Sequence, residues 1–422
     1  MSFQYDLGVI GLGYVGLPLV VEAVAAGMKV AGLDASERKV AGLLAGESHV
    51  DDISNEQVAH LIASGFAPGT SPDVLGDCET VVICVPTPLD ENRLPDLGAV
   101  NAATEAIAAR LQPGQLVVLE STTWPGTTRD VLLPALEATG LKAGTDFFLA
   151  FSPERIDPGN PTFGLRNTPK VVGGHTIACR DRAVSFYGKI VDTTVPVKGT
   201  AEAEMAKLLE NTYRHVNIAL VNEMAMFCNE MDIDLWSAID AAATKPFGFQ
   251  AFRPGPGVGG HCIPIDPNYL SAVVRTKLGY PFRFVELAQE VNERMPIYVT
   301  QRATQLLNTQ RKAMNGANVL LLGVTYKPDI ADERETPALP LVKRLRALNA
   351  NVIYCDPHVP SWSVDGVEVP KVEDLASAVT MADLSILLAP HKLFDLDVIA
   401  GRGQLVLDTR GVLTSSDTVE RL

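Results

Sequence analysis

The first 34 residues carry the pattern that most restricts how this chain folds. An apolar run at 7–10 leads directly into Gly11-Leu12-Gly13-Tyr14-Val15-Gly16, and an apolar helical stretch follows at 17–26. A second apolar run at 29–33 ends at Asp34. Glycines placed between a strand and a helix let the backbone approach a pyrophosphate at the helix N-terminus, and an acid ending the next strand binds ribose hydroxyls. The order strand, glycines, helix, strand and acid therefore predicts a Rossmann-like dinucleotide site. Its predicted contacts are Gly11, Gly13, Tyr14, Val15, Gly16 and Asp34.

The acid at position 34 favours NAD as the dinucleotide. A carboxylate suits the two ribose hydroxyls of NAD and repels the 2′-phosphate of NADP. Arg38 and Lys39 follow closely and are able to bind a phosphate, so NADP stays an open alternative. NAD is the predicted cofactor, with Lys39 beside it.

Three further predicted strands of this domain end in polar residues. The run 81–85 leads to Thr87, the run 116–119 leads to Thr122, and the run 147–151 leads to Glu154. Ligands of open α/β sheets lie outside the carboxyl ends of the strands, so Thr87 and Thr122 are expected to face the cofactor. The alternative is that either threonine is a helix cap or turn residue.

Residues 201–231 contain neither glycine nor proline and predict a long helix. Lys207 and Asn211 are four positions apart and so lie on one face, although a solvated polar stripe has the same spacing. Apolar residues occupy more than one face of this helix. A helix of that kind must be covered on several sides, which predicts a homodimer or a multiple of one.

The C-terminal part resembles a second doubly wound unit. An apolar run at 318–324 is followed by further predicted strands at 351–354, 384–388 and 405–407. The turn after the first strand lacks the GxGxxG pattern, so this domain is expected to bind something other than a dinucleotide pyrophosphate. Lys327, Arg334 and Arg410 are candidate phosphate or base contacts, with ordinary surface charge as the alternative.

Composition limits the partners of the chain. With 422 residues, two or three domains are expected, and a net charge of -15 without a basic run argues against nucleic acid or an anionic membrane as a partner. Six scattered cysteines without a CxxC pair indicate reduced thiols, a cytoplasmic location and no zinc site. No signal peptide or apolar run long enough to span a membrane is recognised, and no metal is predicted.

The segment 255–267, Gly-Pro-Gly-Val-Gly-Gly-His-Cys-Ile-Pro-Ile-Asp-Pro, is too rich in glycine and proline for a helix or central strand. It predicts a shaped loop that carries His261, Cys262 and Asp266 together. Such loops frequently hold functional residues.

Seven segments in order make the chain resemble the nucleotide-sugar 6-dehydrogenase family over essentially its whole length. They are GVIGLGYVGLPL, CVPTPLD, ESTTWPGTT, FSPERIDPGN, KLLENTYRHVNIALVNEMA, GPGVGGHCIPIDP and LGVTYKPDIADERETP. The resemblance implies an α/β fold with two Rossmann-like doubly wound domains joined by a long central helix. Its expected divisions are an NAD-binding domain at 1–198, a central helical dimerisation region with the cysteine loop at 199–300, and a UDP-sugar-binding domain at 301–422.

The same resemblance implies a four-electron oxidation of a UDP-sugar hydroxymethyl group to a carboxylate with two NAD. It places the nucleophile at Cys262, oxyanion stabilisation and substrate holding at Lys207 and Asn211, proton transfer at Asp266 with Thr122, and thioester hydrolysis at Glu154. His261 is left as a packing residue. Further contacts are implied at Arg334 for the cofactor, and at Arg155, Arg253, Gly257, Gly259, Tyr326, Lys327 and Arg410 for the sugar nucleotide.

Within the family, 245–249 and 261–267 look most like the UDP-N-acetylglucosamine branch. Arg253 departs from the tyrosine expected there, which keeps UDP-glucose and UDP-N-acetylmannosamine open. Two other hypotheses are a two-electron hydroxyacid-type dehydrogenase, which needs neither the cysteine nor a third domain, and a sugar-nucleotide sensor without activity.

Overall fold

The computed structural model describes residues 3–50, 52–90, 95–157, 160, 162–260 and 263–422. The chain divides into two compact units. The first unit contains 1–210 and 268–279, and the second contains 211–267 and 280–422. Two of the three boundaries fall inside helices, α7 (Thr200–Glu230) and α9 (Asp266–Leu278), and the third follows the end of α9.

The first unit alternates strands and helices. Its strands are β1 (Tyr5–Ile10), β2 (Val30–Leu33), β3 (Ala67–Gly69), β4 (Cys78–Ile83), β5 (Leu116–Leu119), β6 (Phe148–Phe151), β7 (Lys170–Gly174) and β8 (Thr194–Pro196). Its α-helices besides α7 and α9 are α1 (Gly16–Ala25), α2 (Glu37–Leu44), α3 (Asn55–Ala63), α4 (Gly98–Ala108), α5 (Leu133–Glu137) and α6 (Ile177–Tyr187). A 3₁₀ turn spans Pro72–Asp77 and a π-helical turn spans Thr128–Leu132.

These strands form one sheet in the order β3-β2-β1-β4-β5-β6-β7-β8. The first six have the strand order of a dinucleotide-binding fold and pair in parallel, which confirms the sequence prediction. The next strand reverses, because β7 pairs antiparallel with β6 through Ala150↔Gly174 and Phe151↔Gly173. The start of β7 consequently lies at the carboxyl end of β6.

Each face of this sheet has its own apolar core, because alternate strand residues point to opposite sides. Val82 and Val118 pack on the face covered by α1, α3 and α6, while Ile83 and Leu119 pack on the face covered by α4 and α5. The helices cover both faces of the sheet, as expected for buried parallel strands.

The second unit contains the rest of α7 and a second sheet. Its other helices are α8 (Leu235–Ala243), α10 (Arg283–Thr309), α11 (Ala338–Ala347), α12 (Leu375–Met381) and α13 (Leu396–Arg402). Its strands are β9 (Asn318–Leu322), β10 (Asn351–Cys355), β11 (Ser363–Val364), β12 (Val367–Glu368), β13 (Leu384–Leu387), β14 (Val406–Asp408) and β15 (Val419–Arg421).

Five of these strands form an all-parallel sheet in the order β10-β9-β13-β14-β15. One face packs on α10 and α11 through residues such as Leu321 and Ile386, and the other packs on α12 and α13 through Leu322 and Leu387. The predicted second doubly wound sheet is confirmed. Its strand order is the flavodoxin-type variant, with the crossover direction changing between β9 and β13.

A chain of buried polar contacts ties α7 to α10 inside the second unit. Asn222 donates to the Asn292 side chain at 2.9 Å, and the Asn292 amide lies 3.4 Å from both the ring Nδ1 and the backbone oxygen of His215. His215 is 1% exposed, and burial lowers its pKa to about 4. The imidazole is therefore neutral at physiological pH.

No helix of the described residues is both long enough and apolar enough to cross a membrane.

The buried imidazole predicts a loss of stability in mild acid. Between the ordinary pKa of 6.5 and a folded value of about 4, the unfolded chain binds a proton at His215 that the folded chain does not. The free energy of unfolding should therefore fall by about 3 kcal/mol as the pH is lowered through this window. Urea unfolding followed by circular dichroism between pH 4.5 and 7.5 measures it.

His215→Gln should flatten that pH dependence, whereas His60→Gln, at an exposed position on α3, should not. Equal flattening in both variants would contradict the assignment to His215.

Candidate active site

The glycine-rich turn between β1 and α1 has the form that a pyrophosphate requires. Gly11 has φ +92°, and a Cβ there would lie 2.6 Å from the Cys84 carbonyl oxygen. A Cβ at Gly16 would lie 1.9 Å from the Gly11 carbonyl oxygen, whereas one at Gly13 would have nothing within 4 Å. The first and third glycines are therefore required by packing, and Gly13 leaves open backbone where a ligand phosphate approaches α1.

The acid after β2 is held by the same turn. The Asp34 carboxylate accepts the backbone N–H of Leu12 at 3.0 Å and that of Ser36 at 2.9 Å. Lys39 Nζ lies 3.6 Å from it, so this lysine is paired with the predicted ribose ligand. Tyr14 is 37% exposed at the turn, and Val15 stands at the N-cap of α1. The donors and acceptors present fit NAD.

The two predicted threonines meet at neighbouring strand ends. Thr87 Oγ1 donates to the Thr122 carbonyl oxygen at 2.8 Å, and Ser121 Oγ donates to the Val85 carbonyl oxygen at 2.7 Å. The Tyr269 hydroxyl on α9 donates to the Thr87 carbonyl oxygen. The loops after β4 and β5 are thus joined at one edge of the sheet.

A buried glutamate fixes the start of α7 to the loop after β5. Glu204 is 0% exposed and accepts the backbone N–H of Gly126 at 2.5 Å, the backbone N–H of Thr128 at 2.9 Å and the Thr128 hydroxyl at 2.7 Å. Burial is the main cause of a raised pKa at Glu204, against the lowering effect of these hydrogen bonds. Glu204 has no local signal in the sequence beyond its spacing of three from Lys207, which places both residues on neighbouring turns of α7.

The Lys207 side chain contacts the backbone of Glu154. Lys207 is 8% exposed, and its Nζ donates to the Glu154 carbonyl oxygen at 2.6 Å. The Glu154 carboxylate Oε1 accepts the backbone N–H groups of Arg155 and Ile156, each at 2.6 Å. Arg155 is engaged within the first unit, because its guanidinium pairs with Glu210 at 2.7 Å.

A buried ion cluster that no sequence pattern predicted lies beside Glu154. Lys170 Nζ lies 3.1 Å from Glu120 Oε1 and 3.6 Å from Glu154 Oε2, and the Tyr187 hydroxyl donates to Glu120 at 2.5 Å. Burial disfavours the Lys170 ammonium, but the two carboxylates outweigh burial and raise its pKa. Burial is the largest cause of the raised pKa of Glu120. Ligand-binding residues are expected at the carboxyl ends of parallel strands. Lys170 does not follow this pattern, because it begins β7, which runs antiparallel to β6.

In the second unit, Asn211 and Asp266 are hydrogen-bonded. The Asn211 amide donates to Asp266 Oδ2 at 2.5 Å, and the two residues are 4% and 3% exposed. This contact places the amide of α7 on the acid that begins α9. Cys262, the predicted nucleophile, and His261 lie outside the described residues.

The segment 255–260 packs closely on the loop after β9. A Cβ at Gly259 would lie 2.6 Å from the Tyr326 side chain and 2.6 Å from the Glu335 carbonyl oxygen. Gly260 has φ +83°, and a Cβ there would lie 2.8 Å from the Tyr326 ring. The glycines therefore serve contact with Tyr326, and the structure brings these predicted sugar-nucleotide residues together.

The other end of this segment lies beside Arg410 and Asn222. A Cβ at Gly255 would lie 2.9 Å from Arg410 Nη1, while Arg410 Nε donates to the Leu388 carbonyl oxygen at 2.6 Å. The Gly255 N–H donates to Asn222 at 2.9 Å. Gly257, with φ +137°, lies between these anchors and faces Pro337. Asn222 thus connects the loop to the polar chain of α7 and α10.

Two other predicted contacts pair with acids, and a third accepts a hydrogen bond at its backbone oxygen. Arg253 pairs with Asp240 at 2.5 Å, and Arg334 Nη2 donates to Asp332 at 2.6 Å. The Lys327 carbonyl oxygen accepts the Thr325 hydroxyl at 2.9 Å.

One group of described residues has its ligand-type atoms within 4.8 Å of one another, namely Asp329, His358 and His391. His391 Nδ1 accepts the Asp329 N–H at 2.9 Å, and its Nε2 lies 3.0 Å from Asp356 Oδ2. Both ring nitrogens are occupied by protein groups, so this group supports no metal site.

The five described cysteines, 78, 84, 179, 228 and 355, are free and buried. Burial is the main cause of a pKa raised to about 12 at Cys78 and to about 11 at Cys355. Burial also raises the pKa of Cys84. These three side chains are protonated thiols at neutral pH.

The glycine turn before α1 and the parallel strands of the first unit fit a dinucleotide-binding domain. The family itself is shown by comparison with known sequences. The UDP-glucose/GDP-mannose dehydrogenase family matches in all three of its parts: the NAD binding domain at 5–191, the central domain at 201–294 and the UDP binding domain at 320–415. The chain belongs to this family and is an NAD-dependent UDP-sugar dehydrogenase.

Individual relatives differ in the sugar they are named for. The chain is 36% identical to a UDP-N-acetyl-D-glucosamine 6-dehydrogenase of Pseudomonas aeruginosa over 84% of this chain and 83% of that protein. It is 32% identical to an NDP-N-acetyl-D-galactosaminuronic acid dehydrogenase of Ralstonia nicotianae, covering 96% of each. The solved structure of a UDP-D-ManNAc dehydrogenase from Pyrococcus horikoshii superposes with a TM-score of 0.89 at 29% identity, covering 98% of each chain.

The Glu204 contacts generate a stability prediction. Glu204→Gln replaces one acceptor oxygen by an N–H₂ group that faces backbone donors, so the free energy of unfolding should fall by about 1–3 kcal/mol. The loss should appear as a melting temperature several degrees below that of the wild type in calorimetry. Glu202→Gln is the matched control, because Glu202 is exposed on the same turn of α7. Equal melting temperatures for Glu204→Gln and Glu202→Gln would refute the anchoring role.

Proposed function

We propose that the chain oxidises the C6 hydroxymethyl group of UDP-N-acetylglucosamine to the carboxylate in two successive steps. The Asn211–Asp266 hydrogen bond at 2.5 Å carries the proposal, because it joins a buried amide to the buried carboxylate that stands four positions after Cys262 in the sequence. An amide and an acid so placed suit a reaction that develops an oxyanion and moves a proton. NAD, when bound at the glycine turn of the first unit, accepts one hydride at each oxidation.

We assign the nucleophile to Cys262. After the alcohol is oxidised to the aldehyde, the Cys262 thiolate adds to the carbonyl carbon and gives a thiohemiacetal. Loss of a second hydride gives a thioester, and water then cleaves its C–S bond to release the acid and the thiol. A covalent adduct keeps the aldehyde in place between the two oxidations.

The other roles follow from the chemistry of the groups. The Lys207 ammonium and the Asn211 amide stabilise negative charge on the substrate oxygen, and Asp266 with Thr122 and a water transfers the proton of the alcohol. Glu154 serves hydrolysis of the thioester. On the sugar-nucleotide side, Arg155, Arg253, Gly257, Gly259, Tyr326, Lys327 and Arg410 are assigned to the substrate, and Arg334 to the cofactor.

N-acetylglucosamine is favoured as the sugar by the 36% identity to the Pseudomonas aeruginosa enzyme named for it. UDP-N-acetylmannosamine is the second candidate, supported by the likeness to the Pyrococcus horikoshii structure. UDP-glucose receives less support, since the Arg253 guanidinium that suggested it is paired with Asp240. We also propose the domain division 1–198, 199–300 and 301–422, and a cytoplasmic location that suits the free thiols.

The proposed reaction fixes the yield of reduced cofactor. Each mole of UDP-sugar acid formed should be accompanied by two moles of NADH, because the alcohol loses two hydrides on its way to the acid. Absorbance of NADH and chromatography of the sugar nucleotide measure both quantities, with the three UDP-sugars tested in parallel. One NADH per product with free aldehyde accumulating would refute the thioester route.

The variant Cys262→Ser tests the assignment of the nucleophile in the same assay. It keeps the size of the side chain and replaces a readily ionised thiol by a hydroxyl of far higher pKa, so acid production should fall by several orders of magnitude while NAD and UDP-sugar still bind. Acid production near the wild-type rate would exclude Cys262 as the nucleophile.

We propose that the chain forms a homodimer or a multiple of one through the open side of α7. Tyr213, Leu220 and Phe227 recur every seven residues and are 45%, 54% and 44% exposed. Another side of the helix is already covered, since Ala219 packs with Ala288 and Val291 of α10. These three side chains form an exposed apolar stripe. A second copy of the chain would cover this stripe with its own identical stripe, as an isologous interface requires.

Leu220→Asp should therefore shift the molar mass towards the monomer in light scattering at micromolar concentration, because it places a charge in the stripe. Leu44→Asp is the control, as Leu44 on α2 is similarly exposed at 57%. A monomeric wild-type protein would contradict the proposed assembly.

A further inference from the structure

A series of buried hydrogen bonds that has no role in the reaction steps above ends at the glycine segment, residues 255–260 of the second unit. The Gly255 N–H donates to Asn222 Oδ1 at 2.9 Å, and Asn222 Nδ2 donates to Asn292 Oδ1 at 2.9 Å. The Asn292 amide nitrogen lies 3.4 Å from both the ring Nδ1 and the backbone oxygen of His215. Asn222, Asn292 and His215 are 0%, 5% and 1% exposed, so water does not compete for these contacts.

The direction of these hydrogen bonds is fixed by the backbone of Gly255. A backbone N–H only donates, so the Asn222 atom that faces it must be the amide oxygen. The nitrogen of the same amide then needs an acceptor, which is the Asn292 oxygen. Asn292 consequently turns its N–H₂ group towards His215, where an unprotonated Nδ1 can accept and a protonated one cannot. One orientation of each amide therefore satisfies the whole series.

The surroundings of His215 favour the form of the imidazole that this direction requires. Burial lowers the pKa of His215 to about 4, while the Glu293 carboxylate and the Val285 backbone, both on α10, act in the opposite direction. Burial prevails, so the ring is neutral at physiological pH. A neutral ring with its proton on Nε2 presents Nδ1 to Asn292 as an acceptor.

The glycine segment also lies against α10 at the position of Asn292. Pro296 stands inside this helix and has no N–H, so it cannot donate to the Asn292 carbonyl oxygen four positions earlier. A Cβ at Gly257 would lie 3.7 Å from this oxygen and 3.8 Å from the Pro296 ring. Further along the segment, a Cβ at Gly260 would lie 2.8 Å from the Tyr326 ring. Hydrogen bonds thus hold the start of the segment, and close packing holds the rest.

We propose that Asn222 and Asn292 are positioning residues that hold the glycine segment in the conformation that binds the sugar nucleotide, with the neutral His215 ring as the last acceptor of the series. This inference rests on the proposed function, which assigns glycines of this segment to the substrate. The two amides have almost no exposed surface and act through the Gly255 N–H. Without the Asn222 oxygen, the start of the segment loses its anchor, and ordering it again on binding lowers the affinity for the nucleotide.

Two substitutions of Asn222 separate the acceptor oxygen from the size of the side chain. Asn222→Leu is similar in size but has no acceptor for the Gly255 N–H, so the dissociation constant of UDP, measured by calorimetry, should rise about tenfold or more. Asn222→Asp keeps an acceptor oxygen and should retain most of the wild-type affinity for UDP. The affinity for NAD should be unchanged in both variants. Asn229→Asp, at an exposed position of α7, is the matched control and should bind UDP as the wild type does.

The direction of the hydrogen bonds predicts a second result that a general loosening of the core would not produce. Asn292→Asp replaces the N–H₂ group beside His215 by a carboxylate oxygen, so Nδ1 must carry a proton and the pKa of His215 should rise well above about 4. The other carboxylate oxygen still accepts from Asn222, so the affinity for UDP should be retained. Nitrogen NMR of protein labelled at histidine reports the protonation of each ring nitrogen, and His215→Gln assigns the signal.

Equal UDP affinity in Asn222→Leu and the wild type would overturn the positioning role, and an unchanged His215 titration in Asn292→Asp would overturn the direction of the series. If Asn222→Leu is insoluble, Asn292→Leu decides the question, because it removes the acceptor that orients Asn222 and should also weaken UDP binding. A wild type that yields one NADH per product refutes the proposed function, while the UDP affinities and the His215 titration still decide the positioning role.

Discussion

Buried carboxylates that accept backbone N–H groups at the strand ends are the interaction on which both sheets depend. The loops that follow parallel strands leave backbone donors without sheet partners, and such donors are costly to bury unpaired. Asp34 after β2 accepts the N–H of Leu12 from the turn after β1, and Asp356 after β10 accepts the N–H of Val324 from the turn after β9. Asp408 at the end of β14 accepts three further N–H groups, those of Arg410, Gly411 and Leu413. The loops that carry the candidate site residues are thus shaped by acids beneath them.

The same contact in both sheets shows how far an acid at the end of a strand predicts a ligand site. Asp34 and Asp356 occupy the same place in their sheets and make the same backbone contact, yet only the first follows a GxGxxG turn. The acid alone therefore indicates a shaped turn and not a cofactor. The glycines make the difference, because an open Gly13 provides the close approach that a pyrophosphate needs.

The sequence predicted the strands, the long helix and the glycine segment because each has a local signal in periodicity or in glycine content. Thr87 and Thr122 were expected at one sheet edge and are hydrogen-bonded there. Lys170 and Glu204 could not be found in this way. Lys170 depends on the reversal of β7, which is a property of strand pairing, and Glu204 depends on a partner 76 positions away in Thr128. Contacts between charged or polar residues that are far apart in the sequence produce no periodic pattern from which they could be predicted.

The burial of the described cysteines has a consequence for chemical labelling. Alkylating reagents react with thiolates at accessible surfaces, and the thiols at Cys78, Cys84 and Cys355 are both buried and held protonated by their surroundings. Under native conditions, these three thiols should therefore resist a dilute electrophile and react with it only after the chain unfolds.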